Sequence, residues 1–218
     1  MLSLLTQSPI LFLILAVILI LSLSVHEFSH ALAAYKLGDP TAKYQNRLTI
    51  DPRVHLDPFG ALFLLLFGFG WGKPVPFNPI NLKNPKRDSA LIALAGPASN
   101  LLIAAVSALI IKLVLMSGAM SGSSSGSAIA GGSILIGVLY LAVLYNLMLG
   151  FFNMLPFGPL DGYKIVLGFL PNRLAVQWIQ IQNIGLYILL FLLITRSTNK
   201  ILDPLINFSL KLLGLSTL

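Results

Sequence analysis

Two histidines and a glutamate, His26, Glu27 and His30, form the arrangement His-Glu-x-x-His near the end of a long apolar run. On a helix, residues four apart lie on the same face with their Cβ atoms about 5–6 Å apart, so both imidazoles can bind one zinc ion through ring nitrogens. Glu27 projects from a neighbouring position and could act as a general base on water activated by that ion. The pattern therefore predicts the chemistry of a metal-dependent hydrolase.

The rest of the chain offers few other groups for such a site. It contains three histidines, no cysteine and Glu27 as its sole glutamate, so a metal could be held only by His, Asp or Glu. Catalytic zinc usually has three protein ligands. Asp161 and His55 are the candidates for the third, because the other aspartates lie in polar loops or at helix starts, where capping and turn formation explain them. Asp161 could itself be a helix N-cap, and spacing alone does not decide between the two.

The composition is that of a membrane protein. Of the 218 residues, 56% are hydrophobic and only 10% are charged, which is unusual for a soluble domain. The apolar run that begins at residue 10 continues through the motif to residue 35, long enough to span a bilayer. An incidental carboxylate at that depth would cost a few kcal/mol. Glu27 therefore favours a functional site over a structural pair of histidines.

Further apolar runs predict the remaining architecture. They cover residues 90–116, 134–153, 177–194 and 201–215, with a short run at 59–71 that fits a re-entrant segment and a short helix at 163–170. Alternation within 41–58 indicates short strands, the prolines of 73–83 favour an extended edge strand, and 117–133 has the composition of a flexible Gly/Ser loop.

These elements predict an all-α polytopic membrane protein. We expect about five to six transmembrane helices, short cytoplasmic-side β-strands or hairpins, and a re-entrant segment. The whole chain, residues 1–218, would form a single domain. Its catalytic core would cover about residues 10–170, followed by C-terminal helices at about 177–215.

The net charge of +7 predicts an orientation rather than a nucleic-acid partner. Lys and Arg occur in short groups between apolar runs, not along one stripe with interleaved aromatic residues, so no nucleic-acid binding is expected. The basic loops within 36–53, 73–87 and 164–173 should be cytoplasmic. This topology brings the motif end of the first helix and the broken turn at 156–162 to the cytoplasmic side. The predicted location is the cell membrane, with the site towards the cytoplasm.

The pairing of His26-Glu27-Phe28-Ser29-His30 with Asn153-Met154-Leu155-Pro156 and Leu160-Asp161-Gly162 resembles the site-2 protease family of intramembrane zinc metalloproteases, in its short bacterial form. The likeness covers roughly residues 10–170 and extends over residues 38–40, 51–58, 73–76 and 96–100. Larger relatives in that family carry PDZ-like domains, and no insert in this chain is long enough to hold one.

The resemblance implies roles for individual residues. His26, His30 and Asp161 would be the ligands of one zinc ion, and Glu27 would be the general base. Asn153 would be a donor that helps to hold substrate or stabilise the oxyanion, although a helix-terminal cap is its alternative role. The implied activity is zinc-dependent cleavage of peptide bonds within transmembrane segments of membrane proteins.

The same resemblance places His55 in a nearby loop rather than among the metal ligands. The extended residues 73–82 could present an edge strand to an unwound substrate, since a helical substrate hides its peptide bonds in internal hydrogen bonds. The expected partners are transmembrane protein substrates and the lipid bilayer, and a homo-oligomer is compatible with the sequence.

Two other functions fit parts of the pattern. A membrane metal transporter could use the same residue types, but its groups would be distributed through the depth of the bilayer, whereas this chain clusters them at one level. A catalytically inactive membrane scaffold is disfavoured because Glu27 is retained. A metalloendopeptidase remains the leading hypothesis.

Overall fold

The computed structural model describes residues 2–67, 70–117, 126–195 and 197–215. Within these ranges the chain forms the helices α1 (Leu2–Gln7), α2 (Pro9–Lys36), α3 (Thr41–Tyr44), α4 (Pro52–His55), α5 (Pro58–Phe67), α6 (Pro85–Met116), α7 (Gly126–Asn153), α8 (Asp161–Phe169), α9 (Asn172–Gln180), α10 (Gln182–Ile194) and α11 (Ser197–Leu212). A short 3-10 helix lies at Pro79–Asn81. The edge strand predicted within residues 73–83 is therefore not formed as a strand, and its prolines provide a reason, since proline has no N–H to donate to a neighbouring strand.

Three helices are long and apolar enough to cross a membrane: α2, α6 and the Gly132–Asn153 part of α7. Helices α9 and α10 meet at a 58° bend and together would make a fourth span. The protein is therefore an all-α, multi-pass membrane protein with three or four candidate spans in its described part, fewer than the five to six expected. The difference arises because α11, with 16 residues, is shorter than a bilayer crossing requires, and because the predicted run 177–194 is divided between α9 and α10.

The strands expected within residues 41–58 are not formed. This segment holds the short helices α3 and α4, and its β contact among the described residues is an isolated antiparallel bridge between Leu56 and Gly72. Asp51 caps α4 by accepting a hydrogen bond from the Arg53 backbone N–H at 3.0 Å, and Pro52 occupies the first helical position. Capping and a well-placed proline outweigh the short alternation that suggested strands.

The Gly/Ser-rich loop is also shorter than expected. Helix α7 begins at Gly126, inside the predicted loop 117–133, and residues 118–125 lie outside the described residues. An apolar environment favours helix even for poor helix formers, because the backbone N–H and C=O groups must be paired there. The third span ends at Asn153, as the sequence predicted.

Helix α6 is central to the part of the fold that carries the site, since it packs against α2, α7 and α8. Close approach to α7 depends on Gly150, where an added Cβ would lie 3.0 Å from Leu101 Cδ2 and 3.3 Å from the Pro97 carbonyl oxygen. Small residues let helices pack closely in lipid, where the hydrophobic effect contributes little to association. Ala104 and Ala108 of α6 continue this interface in a buried cluster with Val143.

Candidate metal centre

Helix α2 places the whole His-Glu-x-x-His motif inside the protein. His26, Glu27 and His30 are 4%, 8% and 8% exposed, respectively. Ten residues after Glu27 the helix reaches its C-cap, Leu37, and Gly38 follows with φ of 108°, a backbone conformation that favours glycine and reverses the chain. The motif thus lies in the last three turns of the span.

Asp161 reaches the two histidines from the turn that follows α7. The turn is compact because Gly162 packs directly on the backbone carbonyls of Met154 and Leu155, where a Cβ would collide. Leu160 is the N-cap of α8, so the N-cap role considered for Asp161 is not the one observed. Asp161 is instead the first helical residue.

The three side chains converge closely. Asp161 Oδ2 lies 3.1 Å from both His26 Nε2 and His30 Nε2, and the two nitrogens are 3.0 Å apart. Burial alone would raise the pKa of the Asp161 carboxyl, but hydrogen bonds with His26 and His30 outweigh burial and hold the pKa below its ordinary value. The carboxyl is therefore ionised at neutral pH, as a metal ligand must be.

A zinc ion fits this cluster. Ligand atoms about 2.0–2.1 Å from a tetrahedral zinc ion are about 3.3–3.4 Å from one another, which requires each observed separation to open by only a few tenths of an ångström. Gly96 of α6 supplies the space, because a Cβ there would lie 2.6 Å from His26 Nε2 and closer still to His30 Nε2. Two imidazoles and a carboxylate are also a common donor set for catalytic zinc.

Hydrogen bonds to the far sides of the rings orient both histidines. His30 Nδ1 lies 2.7 Å from the Ile92 carbonyl oxygen, and His26 Nδ1 lies 2.6 Å from Asn100 Oδ1. Such contacts leave the two Nε2 atoms directed at Asp161.

The carboxylate of Glu27, which follows His26 on α2, lies near the start of an extended stretch of residues 72–78. A Cβ on Gly72 would lie 3.1 Å from Glu27 Oε1, so the carboxylate occupies the space beside this glycine that a larger residue would need. Three prolines in and beside the stretch keep it extended, because proline fixes its own φ and disfavours helix in the preceding residue.

Buried polar groups fix both ends of the extended stretch. At its start, Lys73 N–H donates to the His55 carbonyl oxygen at 2.7 Å, and the Arg47 guanidinium donates to the Lys73 carbonyl oxygen. At its end, the fully buried Asp39 accepts from Asn78 N–H at 2.6 Å. The stretch is thereby held beside Glu27.

The side chain of His55 is not part of the metal cluster. It is fully buried, and its Nε2 lies 2.6 Å from the Thr49 carbonyl oxygen. Burial lowers the pKa of this imidazole, which favours its neutral form. Of the two candidates for a third ligand, the structure brings Asp161 to the histidines.

Asn153 is the last residue of α7, and its Nδ2 donates to the Leu149 carbonyl oxygen at 3.0 Å. None of the hydrogen bonds resolved among the described residues joins it to His26, His30 or Asp161. Its role towards substrate therefore stays a prediction.

Sequence reasoning missed a buried line of polar side chains behind His26. Asn100 and Asn146 are fully buried, and Ser22 is 4% exposed. The sequence did contain a signal, because Asn100 and Asn146 each place an amide inside an apolar run. A buried amide without a hydrogen-bond partner costs free energy, so each of these amides should have a polar partner.

Comparisons with known proteins show which family the chain resembles along most of its length. The model of peptidase family M50 matches residues 14–195. YwhC of Bacillus subtilis (strain 168), named as a candidate zinc metalloprotease, is 39% identical over 195 residues that cover 88% of this chain and 85% of YwhC. Rip2 of Mycolicibacterium smegmatis, named in the same way, is 27% identical over 205 residues that cover 91% of this chain and 73% of Rip2. No solved structure matches the chain.

The matched region contains the motif helix, the compact turn and the helix that begins with Asp161. The chain therefore belongs to peptidase family M50, the site-2 protease family of metalloproteases.

Proposed function

We propose that this protein is a zinc-dependent endopeptidase that cleaves peptide bonds within transmembrane segments of membrane-protein substrates. The observation that carries the proposal is the position of Glu27. On its own helix it is next to His26 of the cluster formed by His26, His30 and Asp161, and its carboxylate lies beside Gly72 at the start of the extended stretch. A general base between a metal site and an extended backbone is the arrangement that peptide hydrolysis needs.

His26, His30 and Asp161 would hold the zinc ion. When bound, the ion would polarise the scissile carbonyl and favour deprotonation of a neighbouring water. Glu27 takes a proton from that water as its oxygen attacks the carbonyl carbon. Glu27 then delivers the proton to the amide nitrogen as the C–N bond breaks, which gives a carboxylate and a free amine.

The extended stretch supports a mode of substrate binding. In an extended strand, the backbone groups of successive residues point to opposite sides. Because Lys73 directs its N–H and C=O at the protein, the carbonyl of the next residue, Pro74, would face the opposite side, where an N–H group of an unwound substrate could donate to it. This role requires the substrate helix to unwind locally.

Asn153 is a further candidate for substrate contact. Its Nδ2 would have to leave the Leu149 carbonyl oxygen before it could donate to an oxyanion. Asn153 is the last residue of α7 and directly precedes the turn that leads to Asp161, so it lies at the same end of α7 as the proposed site.

The proposed setting is the cell membrane, with the site on the cytoplasmic side. The support is the Lys and Arg content of the loops that flank the motif end of α2 and the start of α6. The proposed partners are transmembrane protein substrates and the surrounding lipid bilayer.

The test is Glu27→Gln in the full chain, reconstituted with zinc and a model single-span substrate. Zinc should stay bound because Glu27 is not a ligand, while cleavage should fall by at least about 100-fold. The matched control is Ser29→Ala on the same helix, whose hydroxyl bonds only to the Val25 carbonyl oxygen at 2.7 Å among the contacts resolved. Unchanged cleavage in Glu27→Gln would exclude this mechanism. Zinc flux across vesicles without cleavage in the wild type would support a transporter instead.

A further inference from the structure

A line of buried amides connects His26 to two other helices. Asn100 of α6 places Oδ1 2.6 Å from His26 Nδ1, and its Nδ2 lies 2.9 Å from Asn146 Oδ1 on α7. Asn146 Nδ2 lies 2.9 Å from Ser22 Oγ on α2 and 2.9 Å from the Ala142 carbonyl oxygen. The line therefore begins and ends on α2 and passes through the two helices that pack beside it.

The direction of every hydrogen bond in this line follows from one carbonyl group. The Ala142 oxygen can only accept, so Asn146 must present its NH₂ group to it. That leaves Asn146 Oδ1 facing Asn100, which must then donate from Nδ2. Asn100 Oδ1 is left as an acceptor, and His26 Nδ1 must carry a proton to donate to it.

A second carbonyl imposes the same orientation on Asn100. Its Nδ2 lies 3.4 Å from the Ser22 carbonyl oxygen, which also can only accept. If the Asn100 amide were reversed, its oxygen would face two acceptors in a buried site, which is unfavourable.

We infer that Asn100 and Asn146 are positioning residues that fix His26 with its proton on Nδ1, so that the Nε2 lone pair is available to a metal. The inference rests on the metal site of the proposed function and adds two residues to it. Contacts of this kind orient ligating histidines, and their loss typically weakens metal binding about 10–100-fold.

The two histidines obtain the same proton position by different means. His30 donates to a backbone carbonyl of Ile92, which no substitution of a side chain removes. His26 depends on side chains from α6 and α7. The metal site is thus sensitive, through His26, to how these two helices pack against α2.

The experiment measures zinc affinity by chelator competition in the full-length protein and its variants. Asn100→Leu should weaken zinc binding about 10–100-fold. Asn146→Leu should weaken it less, because Asn100 Nδ2 keeps the Ser22 carbonyl as an acceptor. Asn100→Asp retains an acceptor oxygen for His26, and its second oxygen, protonated in this buried site, can donate to Asn146 Oδ1 in place of Nδ2. This variant should recover affinity to within about threefold of the wild type. The control is Ser24→Ala, a buried position on α2 whose hydroxyl bonds the Ile20 carbonyl oxygen at 2.7 Å, and it should leave affinity unchanged.

A second readout reports the proton directly. The chain has three histidines, so ring-nitrogen NMR of ¹⁵N-histidine-labelled, zinc-loaded protein in bilayers gives three sets of signals. Two rings should carry a proton on Nδ1, and Asn100→Leu should change the Nδ1 signal of one of them. This readout needs no peptide cleavage, so failure of the proposed protease activity would leave it intact.

Two results would overturn the inference. One is a wild-type protein in which His26 is protonated on Nε2. The other is an equal loss of zinc affinity in Asn100→Leu and Asn100→Asp, together with a proportional fall in the melting temperature of both variants. That result would mean that Asn100 acts through helix packing alone and not through its hydrogen bond to His26.

Discussion

Glu27 and Gly72 lie against each other across the candidate site: a Cβ on Gly72 would stand 3.1 Å from Glu27 Oε1 and 3.2 Å from the His55 carbonyl oxygen. The carboxylate fits beside the extended stretch because residue 72 has no side chain. This contact joins the end of a membrane-spanning helix to a loop segment, and it sets the distance between the proposed base and a backbone edge that substrate could occupy.

We expect Gly72→Ala to lower cleavage more than metal binding. The new Cβ would be held at 3.1–3.2 Å from two oxygens, so either the carboxylate or the extended stretch must shift. Displacement of a catalytic group by even a fraction of an ångström is costly, and we expect a loss of about 10–100-fold in kcat. Zinc content should remain at the wild-type level because no ligand is touched.

Gly137→Ala is the matched control for this change. A Cβ at Gly137 on α7 would have no heavy atom within 4 Å apart from its own neighbours and helix backbone. The control should retain activity. A kcat at the wild-type level in Gly72→Ala would show that a Cβ at residue 72 does not displace Glu27 from its catalytic position.

Gly96→Ala should differ from Gly72→Ala, because we expect it to lower zinc binding itself. Its Cβ would lie 2.6 Å from His26 Nε2 and nearer to His30 Nε2, in the space that a zinc ion and its ligands would occupy. We expect zinc content to fall below about a tenth of the wild-type value, measured by elemental analysis of purified protein. Alanine is a better helix former than glycine by about 1 kcal/mol, so the fold should not be lost for reasons of helix propensity. Full zinc occupancy in Gly96→Ala would contradict the proposed metal position.

The motif on α2 could be predicted from the sequence because its geometry is local. A helix places His26 and His30 on one face whatever the rest of the chain does. Asp161 is 135 positions from His26, and no periodicity relates the two. Its assignment needed the resemblance to a family, and its approach to the histidines depends on the glycine-containing turn after α7.

Other features depended on interactions that a linear pattern does not contain. Asn100 and Asn146 find each other across two helices, so their roles could not be read from spacing. The described residues contain fewer candidate spans than expected, because apolar length alone does not show that a segment will bend at residue 181 or end early, as α11 does. The prediction of short strands was wrong for a similar reason. Asp51 caps the short helix α4, and this capping favours helix more than the alternation of apolar and polar residues favours a strand.

Asp39 anchors the far end of the extended stretch, and its ionisation should control that anchor. Its carboxylate accepts from Thr41 N–H at 3.1 Å, Asn78 N–H at 2.6 Å and Asn81 Nδ2 at 2.7 Å. Burial alone would raise the pKa of Asp39, but these hydrogen bonds outweigh burial and hold the pKa below its ordinary value of 3.8. The charged carboxylate is therefore the form that stabilises the fold.

Asp39→Asn should lower the free energy of unfolding by about 1.5–3 kcal/mol at neutral pH, because an NH₂ group replaces one of two accepting oxygens. The carboxylate's contribution is complete above the ordinary pKa and is lost as the pH falls through the lowered folded-state pKa. The difference in melting temperature between the wild type and Asp39→Asn should therefore be constant from pH 7 to about pH 5 and shrink below about pH 4.

Asp51→Asn is the control for this prediction. The Asp51 carboxylate pairs with Arg53, whose side chain is 87% exposed, so the substitution should change the melting temperature much less. A wild-type to Asp39→Asn difference that stays the same from pH 7 to pH 3 would mean that the charge on Asp39 does not hold the stretch in place.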